Sequence, residues 1–446
     1  MAWQVGVDQS ARNDQGIARI TLREGAGEAQ VVDFEVCGPI RRCRQPHDTV
    51  QDLVLLATSV YCLDRMVCRR KQADAWTRGF RMVLPVADPV RWGAVRGCIQ
   101  QCLEFLTGDE WGLDLSSRLA RPFIRPRRRR GQHRVAPVTG NAVCLFSGGL
   151  DSLIGAVNHL EADADGEVVL VGHYESSKSG PKSQQQTLYA GLCRTYPGRV
   201  SLVQVRAGLL GPGELSTRGR SLLFIALGMA VACALGADVP LLMPENGPIA
   251  LNPPLTPSRR GSCSTRTAHP YFIKLVRELL AGLGLTNPLV LPLANVTKGE
   301  AVRQCANQDV LREYAALTVS CAKTGHKVGW HRLRARACGR CIPCIYRRAA
   351  LHGADLDTEV YGNDICAGEV DVGPHGGDSA EDLRAMLHFL RKYSSLDEIA
   401  SVLIGNGPLP PGSVLDAARL VSRAMSEVRQ FIADKATAKI RAMAGV

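Results

Sequence analysis

The sequence predicts an α/β fold built on a doubly wound parallel sheet, with an N-terminal α+β domain and C-terminal helices. Between residues 141 and 352, short and almost continuously apolar segments alternate with longer segments in which apolar residues recur at helical spacing. Strands that are apolar on both faces are typical of parallel sheets covered by helices on both sides. Beyond residue 352 only helical spacing remains, so no further strand is expected there.

The N-terminal α+β domain is predicted over residues 1–120. Segments rich in Val and Ile predict four strands, at 3–7, 16–22, 28–36 and 80–86. Helical spacing predicts two helices, at 49–67 and 89–106. The second of these opens with proline, which is favoured in the first turn of a helix. No catalytic constellation is visible in this domain.

In residues 141–352 each predicted strand is followed by a predicted helix. The strands are 141–147, 167–174, 200–206, 239–246 and 288–295. The helices are 151–161, 184–196, 220–236, 269–284 and 298–306. The helical C-terminal region, residues 353–446, contains three further patterns, at 381–393, 396–404 and 414–443.

The composition argues against several classes of protein. A chain of 446 residues is too long for one ordinary core, so two or three domains are expected. No run of about 18 apolar residues occurs, and the first residues lack the pattern of a signal peptide. We therefore expect a cytoplasmic protein with no membrane partner. In that compartment 16 cysteines indicate buried thiols and a metal site rather than disulfides.

The net charge of +12 is concentrated in two segments. Residues 118–134 and residues 321–348 each hold eight basic residues and no acidic one. Because these segments together carry more positive charge than the whole chain, the remainder is net acidic. Basic patches suit phosphate-bearing ligands, nucleic acid or an acidic protein surface. The stretch 121–140, rich in Pro and Arg, is explained equally well as a solvated linker.

The stretch CLFSGGLDSLIGA, residues 144–156, carries the first chemical signal. It lies at the first strand-to-helix turn of the predicted parallel sheet, and ligands bind outside the carboxyl ends of such strands. Gly148 and Gly149 allow positive φ angles and close backbone approach, and amides at the helix start can wrap a phosphate. Asp151 is expected to hold Mg²⁺ or to brace the loop. A plain structural turn is the alternative.

A cysteine cluster carries the second signal. Cys338, Cys341 and Cys344 are spaced three apart, and Cys321 precedes them by seventeen residues. Four thiolates close a tetrahedral zinc site, and Gly339 supplies the turn between two closely spaced ligands. A redox CxxC pair and an iron–sulfur cluster are the alternatives.

These motifs resemble those of a known enzyme family. The loop at 147–152 is similar to the SGGxDS loop of the PP-loop ATP pyrophosphatases, and the cysteine segment resembles that of their QueC-like members. The matching residues are Thr318, Ser320, Cys321, Cys338, Gly339, Cys341, Cys344 and Arg347, with Pro292, Lys298 and Glu300 upstream. The resemblance covers residues 141–352 and implies an adenine nucleotide α-hydrolase-like fold.

Outside that range the chain departs from QueC itself. QueC lacks the first 135 residues and the C-terminal helices, and its first cysteine lies nearer the other three. The segment 264–272, STRTAHPYF, and the larger size look like the QatC-type proteins of bacterial anti-phage systems and their relatives in type IV CBASS.

The resemblance implies roles for individual residues. The implied catalytic residues are Ser147, Asp151, Lys298 and Arg220. The implied ATP-binding residues are Leu145, Phe146, Ser147, Gly148, Gly149, Asp151, Ser152, His173, Tyr174 and Arg218. The substrate-binding candidates are Glu245, Asn246, Arg266, Thr267 and His269. For Arg266 an ordinary loop role is the alternative. For His173, Tyr174, Thr267 and His269 the alternative is a capping or ordinary loop role.

The implied function is ATP-dependent adenylation of a 7-deazaguanine, followed by its attachment as an amide to the N-terminus of a QatB-like partner protein of the same defence system. The implied cofactors are ATP, Mg²⁺ and Zn²⁺. Synthesis of the free nitrile, 7-cyano-7-deazaguanine, is one alternative. A nucleotide-binding scaffold is another, and the Arg run 127–130 leaves a tRNA-modifying enzyme open.

Overall fold

A computed structural model describes most of the chain. The described residues are 2–8, 18–35, 43, 46–118, 121–122, 137–175, 180–209, 213–214, 216, 218–260, 266–373, 377 and 380–446. The predicted linker 121–140 lies mostly outside them, and the Arg run 127–130 lies wholly outside.

A ten-stranded sheet forms the centre of the described chain. Its strands are β1 (Ala2–Asp8), β2 (Ala18–Glu24), β3 (Ala29–Glu35), β4 (Gly79–Val86), β5 (Glu110–Ser117), β6 (Ala142–Leu145), β7 (Val168–Tyr174), β8 (Val200–Leu209), β9 (Leu241–Leu242) and β10 (Leu289–Val290). They lie in the order β10-β9-β6-β7-β8-β3-β2-β1-β4-β5. The strands from β10 to β8 are parallel to one another, and so are β1, β4 and β5.

The predicted α/β class is confirmed, but the sheet is only mostly parallel. β2 pairs antiparallel with β1 and with β3, and β3 pairs antiparallel with β8. A short turn that contains Gly25, at φ +52°, joins β2 to β3, and so short a connection permits only antiparallel pairing. Through the β3–β8 ladder, one sheet runs through the predicted N-terminal domain and the predicted nucleotide domain. The domain boundaries themselves stay a prediction.

Helices cover both faces of the sheet. They are α1 (Asp48–Met66), α2 (Pro89–Ala94), α3 (Arg96–Thr107), α4 (Leu150–Ala162), α5 (Gly180–Thr195), α6 (Arg220–Leu235), α7 (Gly247–Leu251), α8 (Pro270–Gly282), α9 (Lys298–Arg303), α10 (Gln308–Tyr314), α11 (Ile342–His352), α12 (Glu381–Lys392), α13 (Leu396–Ile404), α14 (Val414–Lys435) and α15 (Ala438–Ala444). Val143 and Leu145 of β6 belong to the same hydrophobic cluster as residues of α1, α3, α6 and α8, whereas Ala142 and Cys144 belong to a cluster with residues of α4 and α5. This alternation explains why β6 is apolar throughout.

Several elements differ from the sequence-based expectation. The predicted helix 89–106 is two helices that meet at Val95, and the predicted helix 414–443 ends at Lys435 before a short α15. β5, α10 and α11 were not predicted. β9 and β10 are two residues long, because each is bounded closely by proline.

The C-terminal helices form a separate hydrophobic cluster. α12–α15 bury Phe389, Leu403, Met425 and Phe431 together, and Ile345 of α11 joins them. The cluster also includes residues of the preceding region 141–352, so the C-terminal helices pack directly against that region. Among the described helices, none combines the length and the apolar character that crossing a bilayer requires.

Gly228 in α6 passes close to the sheet. A Cβ atom there would lie 2.5 Å from Leu241 Cδ1 and 2.8 Å from Leu145 Cδ2. We expect Gly228→Ala to lower the free energy of unfolding by about 1–3 kcal/mol, because packed side chains must shift. Gly97 in α3 has open space around it, so Gly97→Ala is the control and should stabilise by up to about 1 kcal/mol. Equal effects of the two substitutions in urea unfolding would contradict this packing.

Candidate functional site

The SGGLDS turn lies at the carboxyl end of β6, where it leads into α4. Phe146 N donates to Val171 O at 2.8 Å, which ends the strand. Gly148 has a φ of +86°, as expected. The expectation of positive φ is wrong for Gly149, which is extended at φ −85° and begins α4. Gly149 instead allows the Ser147 side chain to lie close to its backbone, because a Cβ at Gly149 would lie 3.3 Å from Ser147 Oγ.

Two other segments hold this turn from outside. The carbonyl oxygen of Gly148 accepts hydrogen bonds from Gln184 Nε2 at 2.7 Å and from Val319 N at 3.0 Å. Ser320 Oγ accepts from Leu150 N at 3.4 Å. The shape of the turn is therefore set by the protein before any ligand arrives. Gln184 was missed from the sequence, because nothing in its helix distinguishes it from its two glutamine neighbours.

The turn leaves backbone donors available for an anion. Within the described residues, the amides of Ser147 and Gly148 donate to no protein acceptor. The first turn of α4 follows directly, and the positive end of its dipole points to the same place. Together these groups form a concave set of N–H donors of the kind that binds phosphate.

Asp151 connects the turn to the ends of two other elements. Its carboxylate forms an ion pair with Lys298 Nζ, and it accepts from Asn246 Nδ2 at 2.6 Å. All three residues are buried. Lys298 opens α9, whose capping box of Thr297 and Glu300 fixes the direction of the lysine. These contacts agree with the bracing role expected for Asp151.

A cavity of about 190 Å³ lies beside the turn. It is lined by Leu145, Ser147, Ser152, Arg220, Ser221, Phe224, Met243, Pro244, Glu245 and Thr267. Six of the predicted site residues outside the metal set therefore meet at one place, and Asp151 lies behind them.

Glu245 is the one carboxylate that lines this cavity. Among the described residues it has no hydrogen-bond donor and no cationic partner within ion-pair distance. Burial, and next the nearby Asp151 carboxylate, raise the pKa of Glu245 to about 7. Such a side chain is placed to accept hydrogen bonds from a ligand rather than from the protein.

Arg220 approaches the cavity from the start of α6. Its Nε donates to His173 Nδ1 at 3.3 Å, and its guanidinium lies over the Phe224 ring. His173 Nε2 lies 2.8 Å from the carbonyl oxygen of Ala207. Burial, and next the Arg220 charge, lower the pKa of His173 to about 3, so the imidazole is neutral. His173 thus orients Arg220 from behind and does not line the cavity.

Several predicted residues point elsewhere. Arg218 Nη1 donates to Thr107 O at 2.7 Å, and Arg266 Nη1 donates to Phe105 O at 2.8 Å, both on α3. His269 caps α8 by accepting from the Tyr271 amide, which is the alternative role. A lysine side chain, Lys182, covers the Tyr174 ring. Of the segment 266–269, Thr267 alone lines the cavity.

The four predicted cysteines come together. The sulfurs of Cys321, Cys338, Cys341 and Cys344 all lie within 4.8 Å of one another, and Cys338 Sγ is 3.8 Å from Cys344 Sγ. Sulfurs about 2.3 Å from a tetrahedral zinc ion lie about 3.8 Å apart. The amides of Cys338 and Lys323 each donate to Cys321 Sγ at 3.3 Å, as is usual for a thiolate ligand. This donor set fits a metal such as zinc.

The cluster is built on a tight turn. Gly339 has a φ of +79°, and a Cβ there would lie 2.6 Å from Tyr361 Cβ. The amide of Asn363 donates to Cys338 O at 2.8 Å, so a second segment of the chain covers the turn that carries Cys338 and Cys341. Trp330 completes an apolar shell around the sulfurs. Such a shell keeps water from a structural metal site.

The fold and the site define an α/β protein with a turn that offers free backbone amides and with four clustered cysteines that could bind a metal such as zinc. No protein-family model, curated protein or solved structure matches the chain.

The cysteine cluster predicts about one zinc ion per chain. Cys344→Ser should lose the metal and lower the melting temperature, since a structural zinc site contributes folding free energy. Cys193→Ser removes a half-buried thiol outside the cluster, and it should keep the metal. Metal analysis and thermal unfolding of both variants provide the test. Zinc retained in Cys344→Ser, or absent from the native protein, would contradict the assignment.

Glu245 predicts an unusual dependence of stability on pH. Because its pKa is raised from 4.5 to about 7, the folded chain binds this proton more tightly than the unfolded chain. Ionised Glu245 therefore destabilises the fold increasingly as the pH rises through that interval. The melting temperature of Glu245→Gln should exceed that of the native protein at pH 8, and the difference should shrink toward pH 5. Glu104→Gln, on an exposed side chain, should show no such trend. A difference in melting temperature that does not change with pH would contradict the raised pKa of Glu245.

Proposed function

We propose that the protein is an ATP-dependent ligase of the QueC-like PP-loop family. It adenylates the carboxylate of a 7-deazaguanine and joins it as an amide to the N-terminal amine of a partner protein in bacterial anti-phage defence. The partner is a QatB-like protein, and the cofactors are ATP, Mg²⁺ and Zn²⁺. The motifs at 147–152 and 318–347 support this assignment, as do the contents of the cavity.

One observation carries the proposal: the cavity presents an unpaired carboxylate and a guanidinium beside an anion-binding turn. Glu245 offers two acceptor oxygens, and Arg220 uses its Nε on a neutral imidazole and forms no ion pair among the described residues. A small planar ligand with two N–H donors at one end and a carboxylate at the other is complementary to these groups. 7-Carboxy-7-deazaguanine is such a ligand.

In the first step, a carboxylate oxygen of the deazaguanine attacks the α-phosphorus of ATP. The bond from that phosphorus to the bridging oxygen of the β-phosphate breaks, and pyrophosphate leaves. The amides of Ser147 and Gly148 and the Arg220 guanidinium stabilise the negative charge on the phosphoryl oxygens. The contacts of the turn with Gln184 and Val319 fix the backbone amides in place before ATP binds. The turn therefore needs little reorganisation during the reaction.

Asp151 is the residue that would hold Mg²⁺, and Mg²⁺ bound with ATP would neutralise part of the charge on the phosphates. Asp151 Oδ2 accepts from both the side chain and the backbone amide of Asn246. Asp151 Oδ1 accepts from Lys298 and has a further lone pair for the metal. Lys298 pairs with Asp151 and adds a positive charge to this wall of the site.

In the second step, the amine nitrogen forms a bond to the activated carbonyl carbon. The bond from that carbon to the phosphate oxygen breaks, AMP leaves with the electron pair, and the nitrogen loses a proton. Water would compete with the amine. The apolar lining of Leu145, Phe224 and Met243 limits its access, and so protects the acyl phosphate.

The zinc centre has a structural task in this scheme. Its first ligand, Cys321, follows directly on Ser320 and Val319, which hold the turn. Four thiolates fill a tetrahedral coordination shell, so no open position is left for substrate.

The proposal predicts a mass gain on the partner. The protein is co-expressed with the protein encoded beside it, and the partner's intact mass is recorded with and without Lys298→Met. We expect an increase that fits an amide-linked deazaguanine, and its loss in Lys298→Met, because Asp151 would lose its cation. Lys274→Met changes an exposed lysine and should leave the mass gain intact.

Other outcomes would overturn the proposal. Efficient formation of free nitrile from ATP, 7-carboxy-7-deazaguanine and ammonium, with no partner modified, would favour nitrile synthesis. Pyrophosphate release by the native protein no faster than by Ser147→Ala would favour the scaffold. Steeply salt-dependent binding of tRNA would favour a tRNA-modifying enzyme.

A further inference from the structure

Three side chains on one face of α1 contact the segments that build the cavity. Tyr61, Asp64 and Arg65 are spaced at i, i+3 and i+4, so they lie side by side on the helix. α1 belongs to the N-terminal region, in which the sequence showed no catalytic constellation. The face that it presents is directed at the start of α6 and the end of β7.

Asp64 binds the segment that precedes Arg220. Its carboxylate accepts from Gly219 N at 3.1 Å and from Ser216 Oγ at 2.7 Å, and it pairs with Arg78 Nη2 at 2.6 Å. Burial alone would raise the pKa of Asp64, but the hydrogen bonds and charge of Arg78 outweigh it and hold the pKa below its usual range. Asp64 is therefore an anion placed at the N-terminus of α6, where a helix favours negative charge.

The backbones of α1 and α6 are also in close contact. A Cβ on Gly219 would lie 3.0 Å from Tyr61 Cα and 3.3 Å from Tyr61 N. Arg220 is the next residue, so the position of its backbone is fixed by α1 through one contact and one hydrogen bond. Small displacements there would move the guanidinium in the cavity by a comparable distance.

The end of β7 is held by the same face. Tyr61 Oη donates to Glu175, and Arg65 Nη1 lies 2.5 Å from Glu175 Oε2. The edge of the Tyr61 ring also packs against His173, whose Nδ1 accepts from Arg220. α1 thus constrains both the backbone of Arg220 and the imidazole that orients its side chain.

We propose that Asp64 is a positioning residue for Arg220, and that the N-terminal region is a working part of the active site through α1. This inference rests on the proposed function, since Arg220 acts there on the phosphoryl group. Asp64 itself is buried beneath α6 and touches no substrate. It acts by setting where the first turn of α6 begins.

A matched control lies on the same helix. Asp52 of α1 is equally buried and is also paired with an arginine, Arg118, at 2.5 Å, but it is directed away from α6 and accepts from Ala87 N. Asp64→Asn and Asp52→Asn each remove one buried carboxylate from α1, and we expect them to differ in their effect on the reaction.

The experiment compares pyrophosphate release over a range of ATP concentrations, with 7-carboxy-7-deazaguanine present. The variants are Asp64→Asn, Asp52→Asn, Arg220→Ala and the double variant Asp64→Asn/Arg220→Ala. We expect Asp64→Asn to lower kcat about tenfold or more with a small change in the KM for ATP. Asp52→Asn should stay within about twofold of the native rate. In the Arg220→Ala background, Asp64→Asn should cause no further loss, because the group that it positions is gone.

Equal rates for Asp64→Asn and Asp52→Asn, or losses that multiply in the double variant, would overturn the inference. If Asp64→Asn does not fold, Gly219→Ala replaces it, since the added Cβ forces α6 away from Tyr61. A native protein that releases no pyrophosphate would overturn the proposed function instead. In that case calorimetry would measure the affinity of the same variants for pyrophosphate. A weaker affinity in Asp64→Asn than in Asp52→Asn would support the positioning role of Asp64, and equal affinities would contradict it.

Discussion

The candidate site depends on one short connection, residues 318–321, between the SGGLDS turn and the four-cysteine cluster. Val319 N holds the Gly148 carbonyl, Ser320 Oγ holds the Leu150 amide, and Cys321 supplies a sulfur to the cluster. Thr318 is held in turn by Arg347 Nη1 at 2.6 Å. Four thiolates repel one another without a cation between them, so a metal bound there would keep this connection in place. The shape of the SGGLDS turn would then depend on that metal.

The charges around the cavity come from distant parts of the chain. Asp151 lies on α4 and Lys298 on α9, and Arg220 is positioned by Asp64 from the N-terminal region. Buried ion pairs contribute little net stability, because the loss of hydration offsets their attraction. Their effect here is on geometry, because each pair fixes the position of one element that lines the cavity relative to another. The continuous sheet, joined at the β3–β8 ladder, holds these parts in one body.

The sequence predicts what depends on neighbouring residues and misses what depends on packing. The SGGLDS turn and the cysteine cluster could be found because their residues are close along the chain and their chemistry is specific. The strands predicted at 16–22 and 28–36 are confirmed within the described residues as β2 and β3, but their antiparallel direction depends on the turn between them. The directions of Arg218 and Arg266 depend on α3, which lies more than a hundred residues earlier. The contact of Asp64 with Gly219 spans 155 residues and has no sequence signal.

The central claim is that the turn at 147–152 binds the phosphates of ATP in a shape imposed by the metal centre. Calorimetric titration of ATP into the zinc-loaded protein and into the same protein stripped of zinc tests it directly, with circular dichroism to verify that the sheet and helices persist. We expect one ATP to bind per chain with zinc present, and a large loss of affinity without zinc. Equal affinity in both states, or no binding in either, would contradict it.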